Sequence, residues 1–337
     1  MNNFEWAAAK SSDEAVQMLK SAPKTKDPDE SARPLAGGQD LITTMKDYIL
    51  RPSRVVNLKT ISNLDQVEGD ATAGLKIGAL TTLDTIEHHP VITKSFPGLS
   101  EAAHSVATTQ IRNLATVGGN LCQRPRCWYF RHEHIICLKK GGSKCYAAED
   151  EGENKFNAIL GGGPSYIVHP SDLAPMLVAY GATVTIQGDG KTRDVPLEEF
   201  FTLPADGPLR RENVLKDHEI ITHVHIPASK LAARSTYEKF KERDSLDFAT
   251  AACAAAVEMN GDGTVKDARI VLGGVAPIPW RVPNAEEALK GKKLELGPLE
   301  AVAKLALEGA EPLSKNAYKV PLTQALVKRA LARLGSA

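Results

Sequence analysis

The sequence predicts an α+β fold in three parts, and three observations support this prediction. Short apolar runs that alternate with turn residues recur through the first two thirds of the chain, which is typical of strands. Stretches with helical spacing lie between them. After Pro227 the composition changes to a long run of small residues followed by amphipathic helices. We therefore expect parts at residues 1–58, 59–228 and 229–337, the last with a three-stranded antiparallel sheet.

The N-terminal part begins with a short amphipathic helix. Ser11, Ser12 and Asp13 are candidate caps for it. The segment RPLAGGQDL follows, in which two glycines separate a short apolar entry from a second apolar run at Leu41, so it predicts a strand, a tight turn and a helix or second strand. Glycine lets several backbone N–H groups approach one anion. On its own, however, a Gly-Gly pair is more often a structural turn.

The second part repeats this signal at Gly118 and Gly119 within ATVGGN, after strands predicted at 55–58 and 75–80 and helices at 83–90 and 98–108. Thr116 and Asn120 are its polar neighbours. Two such turns can hold the two phosphates of one pyrophosphate from opposite sides. Neither fits G-x-G-x-x-G opening a helix, so a Rossmann dinucleotide site is not expected.

The motif HPSDLAP precedes a helix predicted from Leu173 to Tyr180 and stopped by Gly181. Ser171 or Asp172 is its candidate N-cap. Capping is the structural role open to Asp172, and accepting a hydrogen bond from a nucleotide is the functional one. A hairpin is predicted around the Gly-Asp-Gly of 188–190, and residues 219–227 alternate like an edge strand.

The C-terminal part begins with a strand in YEKFKERDSLDFA. Cys253 stands alone among alanines in the run that follows, so a buried apolar role is expected. Another strand is predicted at 268–274, and amphipathic helices at 285–289, 299–307 and 322–334. Lys239 belongs either to a surface ion-pair set with Arg243 and Asp247 or to a cofactor site.

Four of the five cysteines lie close together in the sequence, with the spacing C-x4-C-x9-C-x7-C; they are Cys122, Cys127, Cys137 and Cys145. Four thiolates select Zn²⁺ or an iron–sulfur cluster over hard cations. The spacing matches neither a zinc ribbon nor the bacterial ferredoxin run, so it does not identify the metal. Two disulfides or four unrelated thiols remain alternatives, and His132 and His134 are expected to be solvated loop residues.

Composition excludes several classes of protein. The 337 residues contain 41 basic and 41 acidic side chains, so the net charge is zero and nucleic-acid binding is disfavoured. No apolar run reaches the roughly 18 residues that indicate a membrane span. The N-terminus lacks the pattern of an export signal. The expected compartment is therefore the cytoplasm, or the periplasm if the chain is exported together with a signal-bearing partner.

Taken together, RPLAGGQDL, ATVGGN, HPSDLAP and YEKFKERDSLDFA make the chain resemble the FAD-binding medium subunits of the molybdenum hydroxylases. The resemblance covers nearly the whole chain and implies a two-part FAD-binding region with the non-Rossmann fold of PCMH type. Gln39 departs from the small hydroxyl residue common at its position. The residues that the resemblance assigns to FAD are Leu35, Ala36, Gly37, Gly38, Gln39, Asp40, Leu41, Thr109, Thr116, Gly118, Gly119, Asn120, Asp172, Ile221 and Lys239.

The insertion of residues 121–158 resembles that of the periplasmic aldehyde oxidase type, and also that of 4-hydroxybenzoyl-CoA reductase. The resemblance implies that its four cysteines bind an extra [4Fe–4S] cluster. It further implies a heterotrimer in which a large partner oxidises an aldehyde at a molybdenum cofactor and a small partner carries [2Fe–2S] clusters. FAD in this chain would pass the electrons to an external acceptor, and no catalytic residue is assigned here.

Two alternatives remain open. The chain can instead be the equivalent subunit of a 4-hydroxybenzoyl-CoA reductase-type enzyme, with electrons flowing in the opposite direction. It can also be a zinc-stapled interaction protein in which the Gly-Gly pairs are only turns.

Overall fold

The computed structural model describes residues 1–23, 25–244 and 246–336, and it contains three sheets. Lys24, Ser245 of the YEKFKERDSLDFA motif, and Ala337 lie outside the described residues. The prediction of a mixed fold with a separate C-terminal sheet is confirmed. The limits at 58 and 228 stay a prediction.

The N-terminal sheet is parallel, with β3 in the centre. Its strands are β1 (Glu5–Ala8), β2 (Arg33–Leu35) and β3 (Arg54–Asn57). Helix α1 (Ser12–Lys20) is capped by the Ser11 hydroxyl, as the sequence predicted, and buries Val16 against Val56. Strand β2 leads through the glycines into helix α2 (Leu41–Lys46). The first Gly-Gly pair therefore connects a strand to a helix.

The middle sheet is antiparallel, with the strand order β4-β5-β8-β6-β7. Its strands are β4 (Val67–Asp70), β5 (Gly74–Gly78), β6 (Thr183–Gly188), β7 (Lys191–Pro196) and β8 (Ile220–Ile226). The predicted hairpin is confirmed as β6 and β7. The edge-strand prediction for 219–227 is wrong, because Val224 pairs with Ile77 on one side and Val184 on the other. His223 and His225 are partly exposed because they point to the outer face of this central strand.

Short helices surround the middle sheet. The cysteine-bearing insertion, residues 121–158, consists of one further short helix and single turns. The helices are α3 (Leu83–His88), α4 (Pro90–Ser95), α5 (Pro97–His104), α6 (Thr109–Arg112), α7 (Val117–Leu121), α8 (Trp128–Arg131), α9 (Leu173–Ala179) and α10 (Leu197–Phe200). Single 3-10 turns lie at Pro28–Glu30, Leu138–Lys140 and Tyr146–Ala148. Leu83, Ile86 and Leu99 pack into the core beneath the sheet.

The C-terminal sheet has four strands, so the prediction of three is wrong. They are β9 (Ser235–Phe240), β10 (Ala251–Met259), β11 (Val265–Gly273) and β12 (Trp280–Arg281). Strand β12 was not predicted because two residues are too few to show alternation; Trp280 pairs with Leu272. The helices are α11 (Pro283–Leu289), α12 (Leu296–Leu305) and α13 (Lys319–Gly335).

Strand β10 is covered on both faces, which explains its small residues. Ala252 and Ala254 pack into the core of the middle part, whereas Cys253 and Ala255 pack against the C-terminal helices. Cys253 is fully buried, as predicted. The C-terminal sheet therefore shares its core with the middle part.

The longest described helix, α13, has 17 residues. Within the described part of the chain, no helix combines the length and apolarity needed to traverse a bilayer.

Candidate functional site

A cavity of about 860 Å³ lies where the N-terminal and middle parts meet the start of the C-terminal sheet. A volume of this size is at the upper end of ligand pockets. It is lined by most of the residues predicted to bind FAD, namely Ala36, Gly37, Gly38, Gln39, Asp40, Leu41, Thr116, Gly118, Gly119, Asn120, Asp172, Ile221 and Lys239. Leu35 and Thr109 do not line it. Leu35 packs behind Gly38, and the Thr109 hydroxyl accepts a hydrogen bond from Arg112.

The first glycine segment, residues 36–40, needs its two glycines for different reasons. A Cβ on Gly37 would lie 2.0 Å from the carbonyl oxygen of Leu114, so only glycine permits this approach. Gly38 has a φ of +76°, a left-handed conformation that favours glycine. Within the described chain, no protein acceptor is placed on the backbone amides of Gly37, Gly38, Gln39 and Asp40. These amides are free to bind an anion in the cavity.

The second glycine segment, residues 115–120, differs from its prediction. Gly118 and Gly119 form the first turn of α7 instead of a separate turn. The amide of Gly119 donates to the Thr116 hydroxyl, and that of Gly118 donates to the carbonyl of Ala79. Both amides are therefore already satisfied within the protein. This segment offers the cavity the side chains of Thr116 and Asn120 and a surface without Cβ atoms.

Asp172 and Lys239 form a buried ion pair at one end of the cavity, with Nζ 2.8 Å from the carboxylate and both side chains 5% exposed. Tyr237 donates to the other carboxylate oxygen at 2.8 Å. Asp172 makes no capping bond; the Ser171 hydroxyl caps α9 by accepting from the amide of Ala174. The capping role is therefore excluded for Asp172. Lys239 pairs with Asp172 in the cavity and does not belong to the surface ion-pair set, which was one of its two predicted roles.

The other two members of the predicted surface set, Arg243 and Asp247, form an ion pair with each other at 2.6 Å. Burial, followed by the charge of Asp172, raises the pKa of the Tyr237 hydroxyl well above its usual value. Tyr237 therefore stays a neutral hydrogen-bond donor to Asp172. A fixed pair of opposite charges at this point can orient the polar edge of a bound ring system.

Three of the four loop cysteines share one neighbourhood. Burial raises the pKa of Cys127 and of Cys137, and the nearby Cys145 thiol adds to both shifts. Backbone N–H groups oppose these shifts, from Tyr129 and Phe130 toward Cys127 and from Lys139 and Lys140 toward Cys137. Such N–H donors stabilise thiolate ligands.

Cys122 lies on the cavity side of the loop, where burial raises its pKa to about 12 and Glu212 adds to the shift. All four thiols are free in the structure, which therefore does not support the alternative of two disulfides. His132 and His134 are exposed, as predicted.

The arrangement does not fit a single zinc ion. With Zn–S bonds of about 2.3 Å, tetrahedral geometry places the sulfurs roughly 3.8 Å apart. Among the described residues, the one set of three or more possible ligand atoms within 4.8 Å of one another is Asp84, Glu87 and His88. No three thiols are that close together. Cys127, Cys137 and Cys145, with their backbone N–H donors, are therefore not drawn together to the spacing of a tetrahedral zinc site.

The charged groups that hold the cysteine loop in place were not predicted from the sequence. The Asp40 carboxylate accepts from the amide of Arg124 at 2.7 Å and contacts the guanidinium groups of Arg131 at 2.7 Å and Arg126 at 3.0 Å. Buried Lys139 pairs with Glu212 at 2.7 Å, and Arg124 contacts the same glutamate. Burial lowers the pKa of Arg126 to about 10, and Asp40 opposes that shift. The signal available in the sequence was the arginine-rich string QRPRCWYFR.

Comparison with known proteins identifies the family. Residues 2–229 match the family described as the FAD binding domain in molybdopterin dehydrogenase, and residues 235–334 match the CO dehydrogenase flavoprotein C-terminal domain. The FAD-binding subunit PaoB of aldehyde oxidoreductase from Escherichia coli strain K12 is 34% identical over 304 residues, covering 89% of this chain and 91% of the relative.

Two further comparisons concern carbon monoxide dehydrogenase from Hydrogenophaga pseudoflava. Its medium chain is 28% identical over 333 residues, covering 97% of this chain and 96% of the relative. A solved structure of that enzyme, in a form lacking the Mo-pyranopterin moiety of the molybdenum cofactor, matches with a TM-score of 0.74 and 28% identity. The match covers 98% of this chain and 96% of that one. The chain therefore belongs to the FAD-binding subunits of the molybdenum hydroxylases, the family that its glycine motifs predicted.

Proposed function

We propose that this chain is the FAD- and [4Fe–4S]-binding electron-transfer subunit of a molybdenum-containing aldehyde oxidoreductase. The observation that carries the proposal is that the glycine segments and the cysteine loop line the same cavity. The loop contributes Cys122, Arg124 and Arg126. A relative named as an aldehyde oxidoreductase subunit, 34% identical over most of both chains, supports the choice of substrate class.

In this proposal the first glycine segment binds the FAD diphosphate through the free amides of residues 37–40. Thr116 and Asn120 contact the cofactor from the second segment. Asp172, held by Lys239 and Tyr237, fixes a polar edge at the far end of the cavity. Ile221 contributes an apolar surface that excludes water. FAD, once bound, supplies the ability to accept and release electrons.

In the same proposal, Cys127, Cys137 and Cys145 hold the cluster together with Cys122 on the cavity side. Backbone N–H groups at 129–130 and 139–140 stabilise the thiolates. The aldehyde is oxidised on a large molybdenum subunit, and a small [2Fe–2S] subunit relays electrons to this chain. An external acceptor then receives them. No side chain here acts as a general acid or base on the aldehyde.

The test is anaerobic purification followed by quantification of flavin, iron, acid-labile sulfide and zinc. We expect one FAD per chain, with iron and sulfide in the equal amounts of a [4Fe–4S] cluster. The chain purified without partners should bind FAD but leave aldehydes unchanged. Zinc without iron would support the interaction protein instead, and aldehyde turnover by the lone chain would contradict the electron-transfer role.

A matched pair of variants assigns the cluster. Cys145→Ser should lower the iron content, whereas Cys253→Ala should not, because Cys253 lies in the core of the C-terminal sheet among alanines. Equal iron content in the two variants would show that the cysteine loop does not bind the cluster.

A further inference from the structure

The carboxylate of Asp40 belongs to the first glycine segment but faces the cysteine loop. One oxygen accepts from the backbone amide of Arg124 at 2.7 Å, and the other contacts the guanidinium groups of Arg131 and Arg126 at 2.7 and 3.0 Å. Asp40 occupies the N-cap position of α2 without making a capping bond. Its side chain is 15% exposed, so these contacts are shielded from water.

Arg131 links Asp40 to the backbone of the cysteine loop. Its guanidinium group donates to the carbonyls of Pro125 at 2.7 Å and Arg124 at 3.0 Å, while its amide donates to the carbonyl of Cys127 at 2.9 Å. These bonds close residues 124–131 into one unit that contains Cys127. The position of that unit relative to the glycines therefore depends on Asp40.

Helix α2 contacts the loop at both of its ends. Asp40 lies at its start, and Ile49, just beyond its end, packs against Phe130 and Cys137. Arg124 and Arg126 also line the cavity, beside the glycine segment. A ligand in the cavity therefore contacts Asp40's own segment and the loop that Asp40 holds.

The charge of Asp40 is what makes this contact attractive. Arg126 and Arg131 are only 24% and 13% exposed, and both guanidinium groups contact the same Asp40 carboxylate oxygen. Without the carboxylate, two half-buried guanidinium groups would face each other with no counter-ion between them. The loop would then lose this attraction to the glycine segment.

Resting on the proposed function, we propose that Asp40 is a positioning residue that couples the two cofactor sites. Flavin binding fixes the glycine segment and with it Asp40, and Asp40 in turn docks the cysteine loop onto the cavity wall. By linkage, each cofactor then strengthens the retention of the other.

The test compares Asp40→Asn with Asp47→Asn, which changes an exposed carboxylate at the other end of α2. Iron release to a chelator is measured for each holoprotein before and after removal of the flavin. In the wild type and in Asp47→Asn, flavin removal should accelerate iron release. In Asp40→Asn, release should be fast with or without flavin, by a factor on the order of 10 to 100, the usual range of a coupling between two sites.

Hydrogen exchange separates local undocking from general instability. Asp40→Asn should speed exchange at residues 122–131 and leave the strands β9 to β11 unchanged. A general rise in exchange, or an acceleration by flavin removal equal to that of the wild type, would overturn the inference. If Asp40→Asn does not fold, Arg131→Gln should reproduce the same local effect from the loop side, and its failure to do so would also overturn it.

The outcomes distinguish this inference from the proposed function. A wild-type protein without flavin or iron would refute the proposed function. A wild-type protein with both, and an Asp40→Asn variant that behaves identically, would refute only the coupling.

Discussion

Replacing Gly37 by alanine tests how closely the two glycine segments must approach. The new Cβ would lie 2.0 Å from the carbonyl oxygen of Leu114, 2.8 Å from its carbonyl carbon and 3.1 Å from the Cα of Ala115. All three are backbone atoms, so no side chain can rotate to make room. Leu114 and Ala115 are themselves fixed, because both of their amides donate to the carbonyl of Ile111.

The geometry sets the magnitude of the effect. Ordinary Cβ contacts do not fall below 3.0 Å, so the two backbones must separate by about 1 Å. Overpacking of this kind typically costs about 1–3 kcal/mol. The shift also displaces the free amides of residues 37–40, so flavin retention should fall together with the free energy of unfolding.

The assay is flavin quantification after gel filtration, together with urea unfolding of the flavin-free chain. Gly297→Ala is the matched control, because nothing lies within 4 Å of a Cβ at that helical position. It should leave both quantities unchanged or slightly raise stability. A Gly37→Ala protein with full flavin content and wild-type stability would refute the close approach of the two segments.

Three further outcomes are expected. Lys239→Met should lower the free energy of unfolding by about 3–5 kcal/mol, measured by urea unfolding, because it leaves the Asp172 carboxylate buried without its cation. Cys145→Ser should lose iron and, because the two sites are coupled through Asp40, should retain FAD less tightly than the wild type; iron content and the flavin dissociation constant measure this. Burial lowers the pKa of Lys319 to about 7, whereas an unfolded lysine stays near about 10.4, so between these pH values the unfolded chain binds the extra proton. The stability of the wild type relative to Lys319→Met should therefore rise from pH 7 to 10, by at most about 1.4 kcal/mol per pH unit; urea unfolding at several pH values that shows a flat or falling difference would contradict this.

Local signals in the sequence were sufficient for much of the fold. The cap at Ser11 and the hairpin around Asp189 depend on neighbouring residues, and both are as predicted. The burial of Cys253 followed from the alanines around it. Most of the residues that the glycine motifs predicted to bind FAD line one cavity. A family motif could predict this because members of a family share the spatial arrangement of their motif residues.

What the sequence did not show depends on long-range contacts. Strand β8 is central because β5, more than a hundred residues earlier, pairs with it, and no pattern within β8 indicates that partner. Gly119 donates to Thr116 as part of a helix, which a Gly-Gly pair does not reveal. The Asp40 carboxylate bonds to residues more than eighty positions away, so its role could not be read from its own motif.

The cysteine insertion has little apolar core of its own, and its position depends on polar contacts with all three parts of the chain. Asp40 of the N-terminal part holds its start, and Glu212 of the middle part pairs with Lys139 inside it. At its end, Lys319 of the C-terminal part donates to the carbonyls of Phe156 and Asn157. In the first two contacts opposite charges meet in a largely buried site, where loss of either partner is costly. Since these contacts come from three separate parts of the fold, the position of the insertion on the cavity depends on all three.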